Sequence, residues 1–100
     1  HLPLIAALQP GLLEFRDARD QREFVEIGGG FMEVGPDAVI VLADDAQRAR
    51  DIDVKKAEAT LEAARRALRG EPSEMTTEEA TLEIERAVVR LKAARMNGNN

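Results

Sequence analysis

The stretch GGGFMEVGPDAVIVLADD, residues 28–45, decides the class of fold because it joins two strand patterns through a tight turn. Residues 31–34 and 38–42 are rich in apolar and β-branched side chains, and the Gly-Pro-Asp sequence between them favours a turn, so they predict a β-hairpin. The leading glycines can adopt positive φ angles or let another strand approach closely. A phosphate-binding loop is the alternative, but it requires Lys-Ser/Thr and a helix after its glycines, and a strand pattern follows here.

The second strand of this hairpin is apolar on both faces. Val39 and Val41 point to one side of the strand, and the intervening Ile40 and Leu42 point to the other. This pattern predicts a strand that is buried on both faces. Such burial needs more sheet than these residues supply, so we expect either further strands before His1 or cover from another subunit.

Two more strand patterns precede the glycines. Residues 11–17 (GLLEFRD) follow a Pro-Gly break, and residues 23–27 (EFVEI) follow the polar segment ARDQR. Because the polar segment is typical of a turn, these residues predict two further short antiparallel strands.

Beyond Ala43 the apolar spacing becomes that of a helix. Asp44 or Asp45 can cap a helical turn, and Gly70 followed by Pro72 is typical of a helix end. We therefore expect a first helix over residues 46–69. Its apolar positions recur every three or four residues and form one narrow stripe: Val54, Ala57, Leu61, Ala64 and Leu68.

A second helix is predicted over residues 77–96. Thr76 is the expected N-cap, and Glu79 completes a capping box. The short connection predicts antiparallel packing of the two helices. The apolar stripe of the second helix contains Ala80, Ile84, Ala87, Val88, Leu91 and Ala94.

Together these patterns predict an α+β fold, in which short antiparallel strands, whose sheet needs more cover than these residues supply, are followed by an antiparallel two-helix hairpin. The boundary between the two parts is expected at residues 45–46. Small side chains bury little area, so the helices gain only a few kcal/mol from their contact, at about 25 cal/mol per Å². Helices held so weakly can exchange one packing partner for another.

Composition excludes several classes of function. The chain has 100 residues, a net charge of −5, no cysteine and a single histidine, His1, for which we expect a structural role. The absence of cysteine excludes disulfides and thiolate sites, and a single histidine excludes a multi-histidine metal site. The structural role expected for His1 argues against a Ser-His-Asp triad. The acidic balance argues against nucleic acid, and the longest apolar run, residues 38–43, is too short to span a membrane. We expect neither an enzyme nor a metal protein, and we expect the chain to begin partway into a longer polypeptide.

The second helix is polarised in charge. Residues 71–85 contain six Glu and no basic residue, and the helix then ends in a basic segment. Two interpretations stay open at this point, since the charges complement the helix dipole and could equally bind a phosphate or an acidic surface. The basic segment contains Arg86, Arg90, Lys92 and Arg95.

The order of these segments resembles the epsilon subunit of bacterial F-type ATP synthases. That family has a Gly-His-x-Pro-Leu loop, a hairpin of the form GGF-E---V-VLAD-A, an ID--RA stretch that opens the first helix and an ERA--RL stretch in the second. No single motif is specific, but each has a counterpart here and the counterparts come in the same order. The matching residues are His1, Pro3 and Leu4 in the loop; Gly29, Gly30, Phe31, Glu33, Val39, Val41, Leu42, Ala43, Asp44 and Ala46 in the hairpin; and Ile52, Asp53 and Ala57 in the first helix.

The resemblance implies a non-catalytic subunit of the rotor, whose fold is an antiparallel β-sandwich followed by a helical hairpin. Residues 1–45 would be the C-terminal part of a sandwich domain that is incomplete at its N-terminus here, and residues 46–100 would be the helical-hairpin regulatory domain. The sandwich would couple the c-subunit ring to the gamma subunit, on the cytoplasmic face of the bacterial plasma membrane and without spanning it. The helices, when extended into the alpha/beta catalytic hexamer, would inhibit ATP hydrolysis, with acidic segments of the beta subunit facing Arg86, Arg90, Lys92 and Arg95.

Some members of that family bind ATP on the folded helices as a regulatory ligand, although no cofactor is required. The corresponding residues here are Ile52, Asp53, Lys56, Ala57, Arg86 and Arg90. The chain departs from the ATP-binding members in having Lys56 and Ala63 where they have arginines. An ATP-sensing helical module and a generic protein-interaction adaptor are the alternatives to the rotor function.

Overall fold

The computed structural model describes residues 4–99, so His1 and Pro3 lie outside the described residues. The described residues form six strands and two α-helices. The strands are β1 (Leu4–Leu8), β2 (Gly11–Arg16), β3 (Arg22–Ile27), β4 (Gly30–Val34), β5 (Val39–Ala43) and β6 (Ala46–Arg48). A 3₁₀ turn (Ala49–Asp51), α1 (Val54–Leu68) and α2 (Thr77–Met96) follow. This is the predicted class of fold, an antiparallel β-sandwich followed by a helical hairpin.

The strands form two antiparallel sheets of three strands, in the orders β1-β4-β5 and β2-β3-β6. Each strand of one sheet continues into a strand of the other after two residues, at positions 9–10, 28–29 and 44–45. Gly30 pairs with both Leu8 and Ala43, and Ile27 pairs with both Gly11 and Ala46, so the three junctions lie side by side. The sheets therefore meet along one line.

Glycine is required on this line. Gly29 and Gly30 have φ angles of 121° and 135°, which side chains rarely allow. A Cβ atom on Gly30 would overlap the carbonyl oxygen of Leu42. Backbone hydrogen bonds tie the junction together, from Gly28 N to Asp45 O at 2.8 Å and from Asp44 N to Gly29 O at 2.9 Å. The glycines thus have the structural role that the sequence predicts, and a strand rather than a helix follows them.

Strand β5 is largely exposed among the described residues. It pairs with β4 as expected, but Val39, Ile40 and Leu42 are 60%, 50% and 68% exposed. Within residues 4–99 the main packing partner of β5 is β4, so the described residues do not cover the strand, and its burial by preceding strands or by another subunit stays a prediction.

The first helix begins later than predicted. Residues 46–48 pair with β3 in an antiparallel ladder, so they extend the sheet. The cap of α1 is Asp53, whose carboxylate accepts a hydrogen bond from the backbone N–H of Lys56 at 3.1 Å. The prediction that Asp44 or Asp45 caps a helix starting at residue 46 is wrong, because the chain first completes a strand and a 3₁₀ turn.

The helical hairpin has the predicted capping. Thr76 Oγ1 accepts from Glu79 N at 3.1 Å, and Glu79 Oε1 accepts from Thr76 N at 3.3 Å, so the capping box is complete. Gly70 follows α1 with a φ of 84°. The helices pack on each other through buried alanines of both predicted stripes: Ala57 and Ala64 of α1, and Ala80 and Ala87 of α2. Neither described helix has the length and apolar character needed to cross a bilayer.

The hairpin docks on the β2-β3-β6 sheet through a small apolar cluster near the end of α2. The buried members of this docking cluster are Phe24, Ala49, Ile52, Ala93 and Ala94. Asn99, beyond α2, donates a hydrogen bond to the carbonyl oxygen of Ala49 at 2.7 Å. Alanines supply most of this contact from the helix side, so little apolar area holds the hairpin in place.

Candidate functional site

A buried carboxylate lies between the sheet and α2. Glu26 is on β3, two residues after Phe24, so both side chains point to the face on which α2 packs. Its side chain is 1% exposed. Its Oε1 lies 3.9 Å from Arg86 Nε, and its Oε2 lies 3.5 Å from Arg90 Nε. Two guanidinium groups therefore face a single carboxylate that water does not reach.

A second carboxylate binds the same two arginines from the rim. Asp45 lies at the junction between β5 and β6, and its Oδ2 accepts hydrogen bonds from Arg86 Nη2 and, at 3.3 Å, from Arg90 Nη2. Arg86 and Arg90 are one helical turn apart on α2 and present their side chains to the same side. We call Glu26, Asp45, Arg86 and Arg90 the arginine cluster.

The arginine cluster contains two acids and two bases, and Glu83 of α2 adds a third carboxylate beside it, with its Oε1 3.8 Å from Arg86 Nη1. A buried charge costs several kcal/mol unless opposite charges compensate it, and α2, which covers Glu26, also brings the two arginines to it. No hydrogen bond from the described residues reaches either Glu26 oxygen, and the contacts there are ion pairs. The cluster therefore joins the helical hairpin to the sheet electrostatically, beside the apolar docking cluster.

A cavity of about 440 Å³ lies next to the arginine cluster. This volume falls in the range of about 300–1,000 Å³ that is typical of small-molecule sites. The segment between β5 and α1, the first two turns of α1 and one residue of α2 line it. The lining residues are Asp45, Ala46, Gln47, Asp51, Ile52, Asp53, Lys56, Ala57, Thr60 and Arg90.

The residues that the sequence associates with ATP converge on this cavity, with one exception. Ile52, Asp53, Lys56, Ala57 and Arg90 line it, and Arg86 lies behind it in the arginine cluster. Lys56 and Arg90 are the basic side chains of the lining. They are 34 positions apart in the sequence, and docking of the hairpin brings them to one cavity.

The basic end of α2 divides into two parts. Arg86 and Arg90 are partly buried in the arginine cluster, with side chains 21% and 23% exposed. Lys92 and Arg95 are exposed. The four residues predicted to act together therefore do not form one free basic surface in this conformation.

Among residues 4–99, no group of three or more His, Asp or Glu side chains is placed to hold a metal ion.

Comparison with known proteins identifies the family. The family description "ATP synthase, Delta/Epsilon chain, beta-sandwich domain" matches residues 1–49, and "ATP synthase, Delta/Epsilon chain, long alpha-helix domain" matches residues 50–95. The ATP synthase epsilon chain of Moorella thermoacetica is 46% identical over 94 residues, which cover 94% of this chain and 70% of that protein. The chain belongs to the ATP synthase epsilon chain family. The predicted resemblance is confirmed.

Other relatives of the epsilon family agree. The ATP synthase epsilon chain of Nitrosococcus oceani is 40% identical over 93% of this chain, which spans 66% of that relative. A chain in the cryo-EM structure of the Euglena gracilis mitochondrial ATP synthase, comprising OSCP, F1 and the c ring, superposes with a TM-score of 0.74 at 28% identity, over 95% of this chain and 59% of that one. Membership of this family agrees with the prediction that the chain is not an enzyme.

Sequence reasoning missed the acidic half of the arginine cluster. The position of Glu26 could have been predicted to need a cation. It lies two residues after Phe24 on β3 and so faces the core with it, where a carboxylate requires a positively charged partner. The position of Asp45 gave no such indication, because an Asp before a polar segment is equally typical of a helix cap. The partners of both lie on α2, about 40 or more positions away.

Proposed function

We propose that the chain is a non-catalytic subunit of the ATP synthase rotor, and that its helical hairpin regulates ATP hydrolysis by docking on and leaving the sheet. The observation that carries this proposal is the small contact between hairpin and sheet, which consists of the docking cluster and the arginine cluster. Two arrangements separated by only a few kcal/mol are what a switch of this kind requires.

The proposed partners are the gamma subunit, the c-subunit ring and the alpha/beta hexamer. Membership of the family and the likeness to a chain of an F1/c-ring assembly support this assignment. The exposed apolar side chains of the β1-β4-β5 sheet, such as Ile5, Phe31 and Leu42, are suited to contact with neighbouring subunits. The subunit would be peripheral, on the cytoplasmic face of the plasma membrane.

Undocking of the hairpin would separate Arg86 and Arg90 from their acidic partners on the sheet. In the docked state, Glu26 and Asp45 neutralise Arg86 and Arg90. When the hairpin leaves the sheet, these arginines join Lys92 and Arg95 in one basic segment that could meet acidic segments of the beta subunit and hold the hexamer in an inactive state. The docked state, in contrast, leaves the hexamer free to turn over.

A reversible cross-link tests this mechanism. Arg50 and Asn97 are exposed and flank the residues whose hydrogen bond, from Asn99 to Ala49, fastens the end of α2 to the sheet. In an assembled ATP synthase otherwise free of cysteine, R50C and N97C would be joined by a bis-maleimide with a disulfide in its spacer. We expect the rate of ATP hydrolysis to rise when the link is made and to fall when reductant cleaves it.

The single variants R50C and N97C, treated with the same reagent, are the matched controls. Their hydrolysis rates should not change, because neither can hold the hairpin on the sheet. An ATPase rate that is the same with the link intact and cleaved would contradict the proposal.

The cavity favours a second function, ATP sensing. A nucleotide bound there would contact Lys56 of α1 and Arg90 of α2 as well as the segment after β5, and would therefore favour the docked hairpin. Lys56 can serve a phosphate as a point charge, without the planar fork of an arginine. Ala63 does not line the cavity, so Lys56 and Arg90 are the basic side chains available to a phosphate there.

Calorimetric titration of the full chain with ATP tests the second function. We expect saturable binding that weakens in K56A and stays unchanged in K55A, because Lys55 is exposed and does not line the cavity. Absence of heat in the native chain, or equal effects of the two substitutions, would contradict ATP sensing without bearing on the rotor proposal.

A further inference from the structure

We infer that Asp45 is an internal competitor of anionic ligands, and that its carboxylate holds the affinity of the cavity for polyphosphates low. This inference rests on the second function proposed above, the binding of ATP in the cavity. It concerns the regulation of that site by a residue of the chain itself.

Of the two acidic residues in the arginine cluster, Asp45 lines the cavity and Glu26 does not. Its Oδ2 accepts from Nη2 of both arginines, and one of these, Arg90, lines the cavity as well. A phosphate that enters the cavity therefore finds the outer edge of the Arg90 guanidinium already bound to a carboxylate.

The carboxylates of Glu26 and Asp45 differ in how easily they can move away from the arginines. The Glu26 side chain is 1% exposed and faces the Nε atoms from inside, whereas the Asp45 side chain is 45% exposed and faces the Nη2 atoms from the rim. If Asp45 swings into solvent, Glu26 still faces both Nε atoms and Glu83 still pairs with Arg86 at 3.8 Å, while Nη2 of Arg90 loses the hydrogen-bond partner that it has among the described residues. A phosphate oxygen can then take the place of the Asp45 carboxylate.

The rest of the lining reinforces this dependence. The cavity is lined by the carboxylates of Asp45, Asp51 and Asp53 against the cations of Lys56 and Arg90, so acids outnumber bases while Asp45 is charged. Asp53 is engaged in capping α1, and Asp51 has no side-chain partner among the hydrogen bonds and ion pairs of the described residues. Only the Asp45 carboxylate both adds to the negative charge and occupies an arginine.

The substitution D45N separates these effects, because an amide of the same size carries no charge and competes weakly for a guanidinium. We expect D45N to bind both ATP and inorganic pyrophosphate about tenfold more tightly than the native chain, since the competition is for phosphate and not for the base. The matched control is D51N, which removes one negative charge from the same lining without freeing an arginine, and we expect it to tighten binding less than about threefold.

The experiment is calorimetric titration of the full chain and its variants with each anion. D45S, which also removes the carboxylate, should tighten binding as D45N does, and it keeps the test decisive if D45N folds poorly. In an R90A background the gain from D45N should fall to the small gain expected for D51N, because only the loss of a negative charge from the lining then remains.

Four results would overturn the inference. Equal tightening by D45N and D51N would mean that only the charge of the lining matters, and weaker binding by D45N would mean that Asp45 orients the arginines for the ligand. If the native chain binds ATP and D45N binds it no more tightly, the inference fails and ATP sensing stands. If neither the native chain nor any Asp45 variant binds either anion, both fail together.

Discussion

Glu26 shows how one side chain can make docking of the helices depend on charge. Its burial removes a carboxylate from water, which is favourable only while Arg86 and Arg90 lie beside it. When the hairpin leaves the sheet, water reaches the Glu26 carboxylate again, so burial of this residue does not by itself oppose undocking. It does penalise any docked arrangement in which the arginines are displaced.

The substitution E26Q should therefore destabilise the docked fold. It removes the buried carboxylate that faces both Nε atoms and leaves the two guanidinium groups with the more exposed carboxylates of Asp45 and Glu83, so we expect the free energy of unfolding to fall by on the order of 3 kcal/mol. Urea unfolding followed by circular dichroism would measure it. The matched control is E14Q on β2, because Glu14 forms an exposed ion pair with Arg22 at 2.7 Å and should cost less than about 1 kcal/mol. Similar small losses in both variants would show that the Glu26 contacts contribute little.

At the scale of strands and helices, local patterns predict the type of each element better than its limits. The capping box at Thr76 and the glycine after α1 depend on neighbouring residues alone, and both are confirmed. The start of α1 depends on a distant residue, because residues 46–48 become a strand only by pairing with β3. The helix therefore begins at Val54 and not at residue 46.

Strand β5 and the arginine cluster show the same limit for burial. The alternation in β5 describes a strand that would suit burial on both faces, but burial needs a covering element, and the described residues supply none. The cavity was half predictable, since the residues from Ile52 to Ala57 are adjacent in sequence. Its closure by Arg90, and the partnership of Arg90 with Glu26 and Asp45, depend on how the hairpin docks, which no local pattern encodes.

The whole molecule is elongated and thin, with extents of 52 × 31 × 13 Å. Its radius of gyration is 15.8 Å, compared with about 13 Å for a compact domain of this length. The strands and the hairpin therefore share a limited contact. The strands are held together by their own ladders, and the helices by the packing of α1 on α2, which we call the seam. This architecture allows the hairpin to move as a unit while its helices stay paired.

Cysteine labelling can distinguish movement of the hairpin as a unit from general unfolding. The chain has no cysteine, so a single engineered cysteine reports the accessibility of one position. Ala94 is 1% exposed in the docking cluster, and Ala64 is 0% exposed on α1, whose main packing partner is α2. We expect a thiol reagent to modify A94C faster than A64C under native conditions, because undocking exposes only the former.

Adding E26Q should accelerate modification of A94C and leave the rate of A64C nearly unchanged, since that substitution weakens docking and not the seam. If both thiols instead react at one rate that follows global unfolding in urea, the hairpin does not leave the sheet on its own, and a regulatory cycle of docking and release cannot operate in this chain.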